Sequence, residues 1–255
     1  AGTITISSLK EGAGASAAVT SNAVPTGGNA FALGLNSSNL YVADSGGSAT
    51  SFHVYTCTLP ISSTLGCSLA STGQSGIGPA AFDPGLGEIL VGAGTTVTET
   101  SFSGTGFSGA VTGQGPEILS IATDSTNAYW VNAAALASGA STTQLTLMSA
   151  PLNSLSNAMA TTLVSGVGAG IVFGPIASDG SDGSIVYLAT ISTPNTPTGP
   201  STIAWVPKAG GSLTTIYTTQ NLILNLTVVN GFLYWIEFVN NDVSPSATIW
   251  GWHFR

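Results

Sequence analysis

Charge is what this chain has least of. Only 5% of its 255 residues are Asp, Glu, Lys or Arg, where a globular protein carries roughly 25%. Lys10, Lys208 and Arg255 are the whole basic complement beside 11 acidic residues, for a net charge of −8 at pH 7. Three scattered cations cannot neutralise a phosphate backbone, and the negative balance repels polyanions, which excludes nucleic acids and anionic membranes as partners. Long apolar runs are missing too. None approaches the roughly 18 residues of a transmembrane helix, and no basic segment leading into an apolar one opens the chain as a signal peptide would. A start at Ala1-Gly2-Thr3 suits a mature secreted protein.

Catalytic and metal-binding signatures are equally sparse. The histidines are His53 and His253, and neither belongs to a Cys/His/Asp cluster with ligand spacing, so no metal site and no cofactor are expected. Gly106-Phe107-Ser108-Gly109 falls one position short of a nucleophile elbow, and no helix is expected after it; the segment reads as a turn. Cys57 and Cys67 stand ten positions apart around the turn-like Leu59-Pro60-Ile61-Ser62-Ser63. A cross-strand disulfide in an oxidising, extracellular compartment is the favoured reading, and two buried thiols are the other.

What is present is apolar and repetitive. Hydrophobic residues make up 43% of the chain and the mean hydropathy is +0.40, which excludes disorder. Five segments pair a short apolar stretch, an Asn or Asp turn, and a second stretch that is often aromatic. The turns are Asn36, Asp83, Asp124, Asp179 and Asn230, spaced by 41 to 55 positions, the range of a propeller blade. Such Asp and Asn side chains accept bonds from backbone N–H groups just ahead, which gives them a structural role. A third strand-like run follows each hairpin, as in 51–55, 95–98, 144–148, 202–206 and 248–252, and a fourth follows in four units, at 65–69, 109–111, 161–164 and 213–217. β-Branched and aromatic residues in short runs between Gly, Pro, Asn and Ser are strand signals, and no window has a helical period. The expected fold is all-β: a β-propeller of five four-stranded blades.

Tyr129-Trp130-Val131-Asn132, Tyr234-Trp235-Ile236-Glu237 and, more weakly, Tyr41-Val42-Ala43-Asp44 resemble the YWTD motif. On these hairpins the chain is similar to secreted YWTD-type and NHL-like propellers over most of its length. The resemblance implies a propeller. It does not choose a function, since such propellers serve as lectins, receptor modules, scaffolds and lyases. YWTD propellers usually have six blades, whereas five units are counted here.

The last unit stops after its third strand, so its outer strand must come from elsewhere. Ala17-Ala18-Val19-Thr20 could supply it and close the ring by pairing the N- and C-terminal segments. That leaves Thr3, Ile4, Thr5 and Ile6, a period-2 strand, as surplus. Residues 1–22 therefore read as an arm, with a strand in 1–8 for donation in cis or in trans and a closing strand at 17–20, ahead of a single propeller domain at 23–255.

Asp44, Asn132, Thr190 and Glu237 occupy one position in four units and form the candidate ligand-binding set. As paired carboxylates, Asp44 and Glu237 could serve a glycosidase as acid and base, in the location where several propeller glycosidases work. No recognisable catalytic set surrounds them. Five tryptophans read as core rather than sugar platforms, with Trp250 and Trp252 on one face of their strand. Of the two glycosylation sequons, Asn36 lies on a turn and is available, while Asn225 falls in an inner strand. The favoured function is a non-enzymatic extracellular structural or assembly subunit, of a filament, sheath or surface layer, whose main partner is itself. A carbohydrate-binding propeller with glycan partners is the alternative, and a glycosidase or lyase comes third. A surface with so little charge repulsion favours self-association.

Overall fold

The computed structural model describes residues 2–6, 22–26, 30–36, 38–45, 52–58, 67–73, 78–83, 87–101, 107–111, 117–134, 144–152, 155, 159–165, 172–180, 183–191, 200–239 and 246–253. The chain divides into two compact units, residues 1–93 with 98–108, and residues 94–97 with 109–255.

In the first unit β1 (Gly2–Ile6) pairs antiparallel with β2 (Asn22–Thr26) as a two-stranded ribbon. A four-stranded sheet follows in sequential order: β3 (Ala30–Leu35), β4 (Asn39–Asp44), β5 (Phe52–Thr58) and β6 (Cys67–Gly73). The next is β7 (Ala80–Asp83), β8 (Glu88–Ala93), β9 (Thr96–Ser101) and β10 (Phe107–Val111), with the division between the units running through β9 and β10. The first strands of these two sheets, β3 and β7, pack together. Tyr41, Ala43, Phe52, Val54, Phe82, Ile89 and Val91 form the core between the sheets.

The second unit repeats the plan with β11 (Glu117–Thr123), β12 (Asn127–Ala134), β13 (Gln144–Pro151) and β14 (Thr161–Ser165), then β15 (Val172–Ser178), β16 (Ile185–Ile191), β17 (Ser201–Pro207) and β18 (Thr214–Thr219). It ends with β19 (Leu222–Val229), β20 (Phe232–Val239) and β21 (Ser246–His253). Here the first strands again pack in succession, β11 on β15 and β15 on β19. Two apolar clusters fill the spaces between the sheets, one around Tyr129, Leu147 and Leu188 and one around Tyr187, Ile203 and Trp235.

Position in the stack explains the burial of each strand. Leu40–Asp44 in β4, Ala128–Asn132 in β12 and Val186–Thr190 in β16 are buried residue after residue, and in β16 the reason is visible, since apolar clusters cover both faces of its sheet. In β20 burial alternates: Leu233, Trp235 and Glu237 are buried, while Phe232, Tyr234 and Ile236 are more open.

The hairpin turns use the expected chemistry. Asp124 Oδ1 accepts the Thr126 and Asn127 amides at 3.0 and 2.8 Å, and Asn36 Oδ1 accepts those of Ser38 and Asn39 at 2.9 and 2.8 Å. Asn230 and Gly231, with φ of 51° and 79°, form the two-residue link between β19 and β20, the Asn-Gly turn whose twist suits a hairpin.

One expectation needs correction. The five sheets are not uniformly four-stranded, because the last has three strands among the described residues. Pairing between the chain's two ends is not part of the described structure: β1 joins β2, and β21 joins β20. A partner nearer in sequence closes a smaller loop, which favours β2 for β1. The closing strand expected at 17–20 lies outside the described residues.

Candidate functional site

The second strands β4, β12, β16 and β20 of four blades carry the candidate ligand-binding position at corresponding register, and the third strand supplies the residue opposite. Asp44 faces His53, Asn132 faces Thr146, Thr190 faces Thr202 and Glu237 faces Thr248. All four candidates are buried. Three of them are engaged by neighbours within their own unit. His53 Nδ1 lies 3.3 Å from Asp44 Oδ1, and the Thr190 and Thr202 hydroxyls are 2.5 Å apart.

Glu237 is held most completely. Its carboxylate accepts bonds from the Tyr217 hydroxyl, the Thr219 hydroxyl at 3.1 Å, the Asn221 amide at 2.9 Å and the Trp235 indole N–H at 3.2 Å. Burial alone would raise its pKa, but the Asn221, Tyr217, Trp235 and Thr219 donors outweigh that and hold it below the ordinary glutamate value. Burial and the bond to Glu237 push the Tyr217 hydroxyl up. A carboxylate surrounded by fixed donors stays ionised and is poorly placed to act as a proton donor. Asn132 differs, since its buried Oδ1 has no hydrogen-bond partner. At two of the four positions, Asp44–His53 and Thr190–Thr202, the contact joins the facing residues of the second and third strands.

A second polar centre lies in the same unit and was not anticipated from the sequence. Lys208, just past β17, places Nζ 2.6 Å from Asp124 Oδ2 and 3.2 Å from Asp179 Oδ1. It also donates to the Gly180 carbonyl and stands 5.8 Å from the Tyr129 ring centroid. Tyr129 adds a 2.7 Å hydroxyl bond to Asp124. Burial would raise the Asp124 pKa, yet Lys208, Tyr129 and the Asn127 and Thr126 amides together lower it. The Tyr129 hydroxyl is pushed far up by burial and by Asp124, and Tyr187 by burial and Asp179. The signal was available: a lysine is rare in this chain, and this one follows the third strand of a repeat whose turns carry aspartates. Among the described residues no group of three His, Cys, Asp or Glu side chains could hold a metal ion.

No family model and no curated protein matches the chain. Solved structures do. A structure of the nidogen/laminin complex aligns with a TM-score of 0.56 at 10% identity, covering 82% of this chain and 74% of that one. The β-propeller domain of the Trilobed protease from Pyrococcus furiosus, described as having an open velcro topology, aligns with a TM-score of 0.57 at 10% identity, over 87% and 68% of the two chains. A functionally unknown protein from Desulfotomaculum acetoxidans gives 0.50 at 14% identity over 89% and 70%. The fold is a five-bladed β-propeller. At such identities the likeness concerns fold alone.

Among the described residues the propeller's blades therefore have four strands, except the fifth, β19–β21, which has three. All eight residues of β21 are exposed, among them Ile249 at 74%, Trp250 at 46% and Trp252 at 42%. Trp250 and Trp252 lie opposite Trp235 and Leu233, which puts them on the face that carries the blade's core residues, but at its margin. The other face carries a shallow apolar pocket of about 160 Å³ lined by Asn225, Thr227, Tyr234, Ile236 and Ile249. Of the five tryptophans expected in the core, Trp130 and Trp235 are buried, Trp205 is half-buried, and Trp250 and Trp252 are exposed.

The remaining candidates are placed as follows. Thr3, Ile4, Thr5 and Ile6 form most of β1, opposite Pro25, Val24, Ala23 and Asn22. Cys57 and Cys67 face each other across β5 and β6 and form the disulfide. Asn36 is half-buried, and its amide nitrogen donates to the Tyr41 hydroxyl at 3.1 Å. Asn225, expected to be shielded in an inner strand, is instead exposed together with Thr227. Among the described residues no helix is long and apolar enough to cross a membrane.

Proposed function

We propose that this propeller is a non-enzymatic, extracellular structural subunit that assembles with copies of itself through its N-terminal β-strand. The observation that carries the reading is β1: it forms a strand, yet it belongs to none of the five blades. A two-stranded ribbon is marginal by itself in water, so a strand held that way is available for exchange into a larger sheet. The near-absence of charge supports self-association, because little repulsion opposes contact between copies. The Cys57–Cys67 disulfide supports an oxidising compartment.

A glycan-binding or glycosidase role would draw on Asp44, Asn132, Thr190 and Glu237. Their burial speaks against this, as do the internal bonds of Asp44, Thr190 and Glu237.

Native mass by light scattering, with negative-stain imaging, tests the proposal on the full chain and on a variant lacking residues 1–8. Polymers or regular oligomers are expected from the full chain and a folded monomer from the truncation. A full chain that stays monomeric across the accessible concentration range, or a truncation that assembles unchanged, overturns it.

A further inference from the structure

We propose that the exposed edge of β21 is the acceptor for residues Gly2–Ile6 of a second copy of this chain, which enters the fifth blade as its outer strand. The inference rests on the assembly reading above and adds the surface on which the donated strand lands.

Strand number is the first argument. Four blades have an outer strand, β6, β10, β14 or β18, and among the described residues the fifth blade has none, while two strands, β1 and its ribbon partner β2, lie outside every blade. Among the described residues there is thus one vacancy and a surplus pair of strands, of which β2 contains Pro25, which lacks the N–H a ladder needs, and β1 contains no proline.

Burial is the second. Third strands that have an outer neighbour all contribute buried residues: β5 and β17 each bury four of their seven, β9 buries four of six, and β13 buries Leu145, Leu147 and Ala150. β21 holds the same place in the repeat and buries none of its eight. Its sequence, Ser-Ala-Thr-Ile-Trp-Gly-Trp-His, is as apolar as the buried third strands, so its exposure reflects a missing neighbour.

Lack of edge protection is the third. Free edges are normally blunted by Lys, other charges, Pro or a bulge. β21 contains no Lys, Asp, Glu, Arg or Pro. Its pairing with β20 runs through eight unbroken rungs from Phe232↔His253 to Val239↔Ser246, so no bulge in that ladder turns the edge aside. About half of the β21 residues point their N–H and C=O groups away from β20. An antiparallel or parallel strand laid there takes up those bonds, the mode known as β-augmentation.

The donor suits the edge. Gly-Thr-Ile-Thr-Ile alternates, so as an added strand it presents both isoleucines to one face and both threonines to the other. Isoleucines on the core face would cover Trp250 and Trp252. Leaving the ribbon with β2 for a four-stranded sheet is a gain in cooperativity. Donor and acceptor are different surfaces, so the contact is head-to-tail and propagates into a ring or an open filament.

The test uses the full-length protein with a photo-crosslinking benzophenone side chain in place of Ile4. Isotopically light and heavy chains are mixed, assembled and irradiated, and adducts are mapped by mass spectrometry. Light–heavy adducts within residues 246–253 are the expected result. A Trp250→Glu change, at an exposed position where folding should be retained, is expected to cut their yield by about tenfold or more, since a charge is placed on the pairing edge. Intact assemblies whose adducts fall outside 246–253 overturn the acceptor but leave strand-mediated assembly standing. Adducts to 246–253 confined to a single chain overturn donation to a second copy. Absence of assemblies overturns this inference together with the reading beneath it.

Discussion

Lys208 Nζ sits 2.6 Å from Asp124 Oδ2, and this pair ties the end of the fourth blade's third strand to the inner turn of the third blade. Asp179 shares the same ammonium at 3.2 Å. Both carboxylates are largely buried, with side-chain exposures of 1% and 7%, and Lys208 is 16% exposed. Removing one partner of a buried ion pair strands the other charge and costs about 3–5 kcal/mol. Lys208→Met should lower the urea midpoint accordingly. The double change Lys208→Met with Asp124→Asn should recover part of the loss, because one orphaned charge is gone. An unchanged midpoint in the single variant would show that water compensates the aspartates freely.

Acid should act through Asp124 and Glu237. Both carboxyls are held below the ordinary values of 3.8 and 4.5. A carboxyl with a depressed folded-state pKa binds protons more readily when unfolded, so its stabilisation is complete above the unfolded value and disappears as pH falls through the folded one. Stability should therefore be nearly level from neutrality to about pH 5 and decline below about pH 4. Glu237→Gln removes one of the two contributors. Its urea midpoint should be lower at neutral pH but fall less steeply with acid, and a slope matching that of the unmodified protein would remove Glu237 from the account.

The fold was readable from the sequence because the repeat places Asn or Asp at every inner turn, and each such turn marks a hairpin by chemistry that needs no tertiary context. Asn36 and Asp124 accept the amides that this role requires. Aromatic second strands such as Tyr129–Val131 marked the core for the same local reason. What escaped depends on contacts distant in sequence. The rarity of lysine singles Lys208 out, but that two turns from different blades converge on it is set by tertiary packing. Thr248 does not reveal that Glu237 is saturated by Tyr217, Thr219 and Asn221 from β18 and the turn after it. The exposure of Asn225 escaped because it was inferred from strand position alone. The Tyr41 hydroxyl reaches back to Asn36, and the Asn225 face of the fifth blade is open.

The Cys57–Cys67 bridge encloses a short loop, with a sequence separation of 10. Chain-entropy reasoning assigns a crosslink of this length about 3 kcal/mol through the unfolded state. Cys57 is fully buried, so replacement by Ala together with Cys67→Ala adds a small packing loss. Reduction should lower the denaturation midpoint of the intact protein, and the double-Ala variant should sit at or slightly below the reduced protein and ignore reductant. A midpoint indifferent to reduction would mean that β5 and β6 hold their register without the bridge.

Gly34 in β3 sits where a Cβ would collide with the Phe82 side chain of the neighbouring blade. Phe82 is buried and stacks on Tyr41 with ring centroids 5.9 Å apart, so it has little room to withdraw. Overpacking of this kind costs typically about 1–3 kcal/mol, and Gly34→Ala should destabilise the protein by that amount. Phe82→Leu should cost stability alone by loosening the contact with Tyr41. Combined with Gly34→Ala it should cost less than the sum, because the smaller side chain vacates the space that the new methyl group needs. A double-mutant cycle in chemical denaturation reads this coupling directly. Simple additivity would mean that the two first-unit blades do not meet at Gly34 and Phe82.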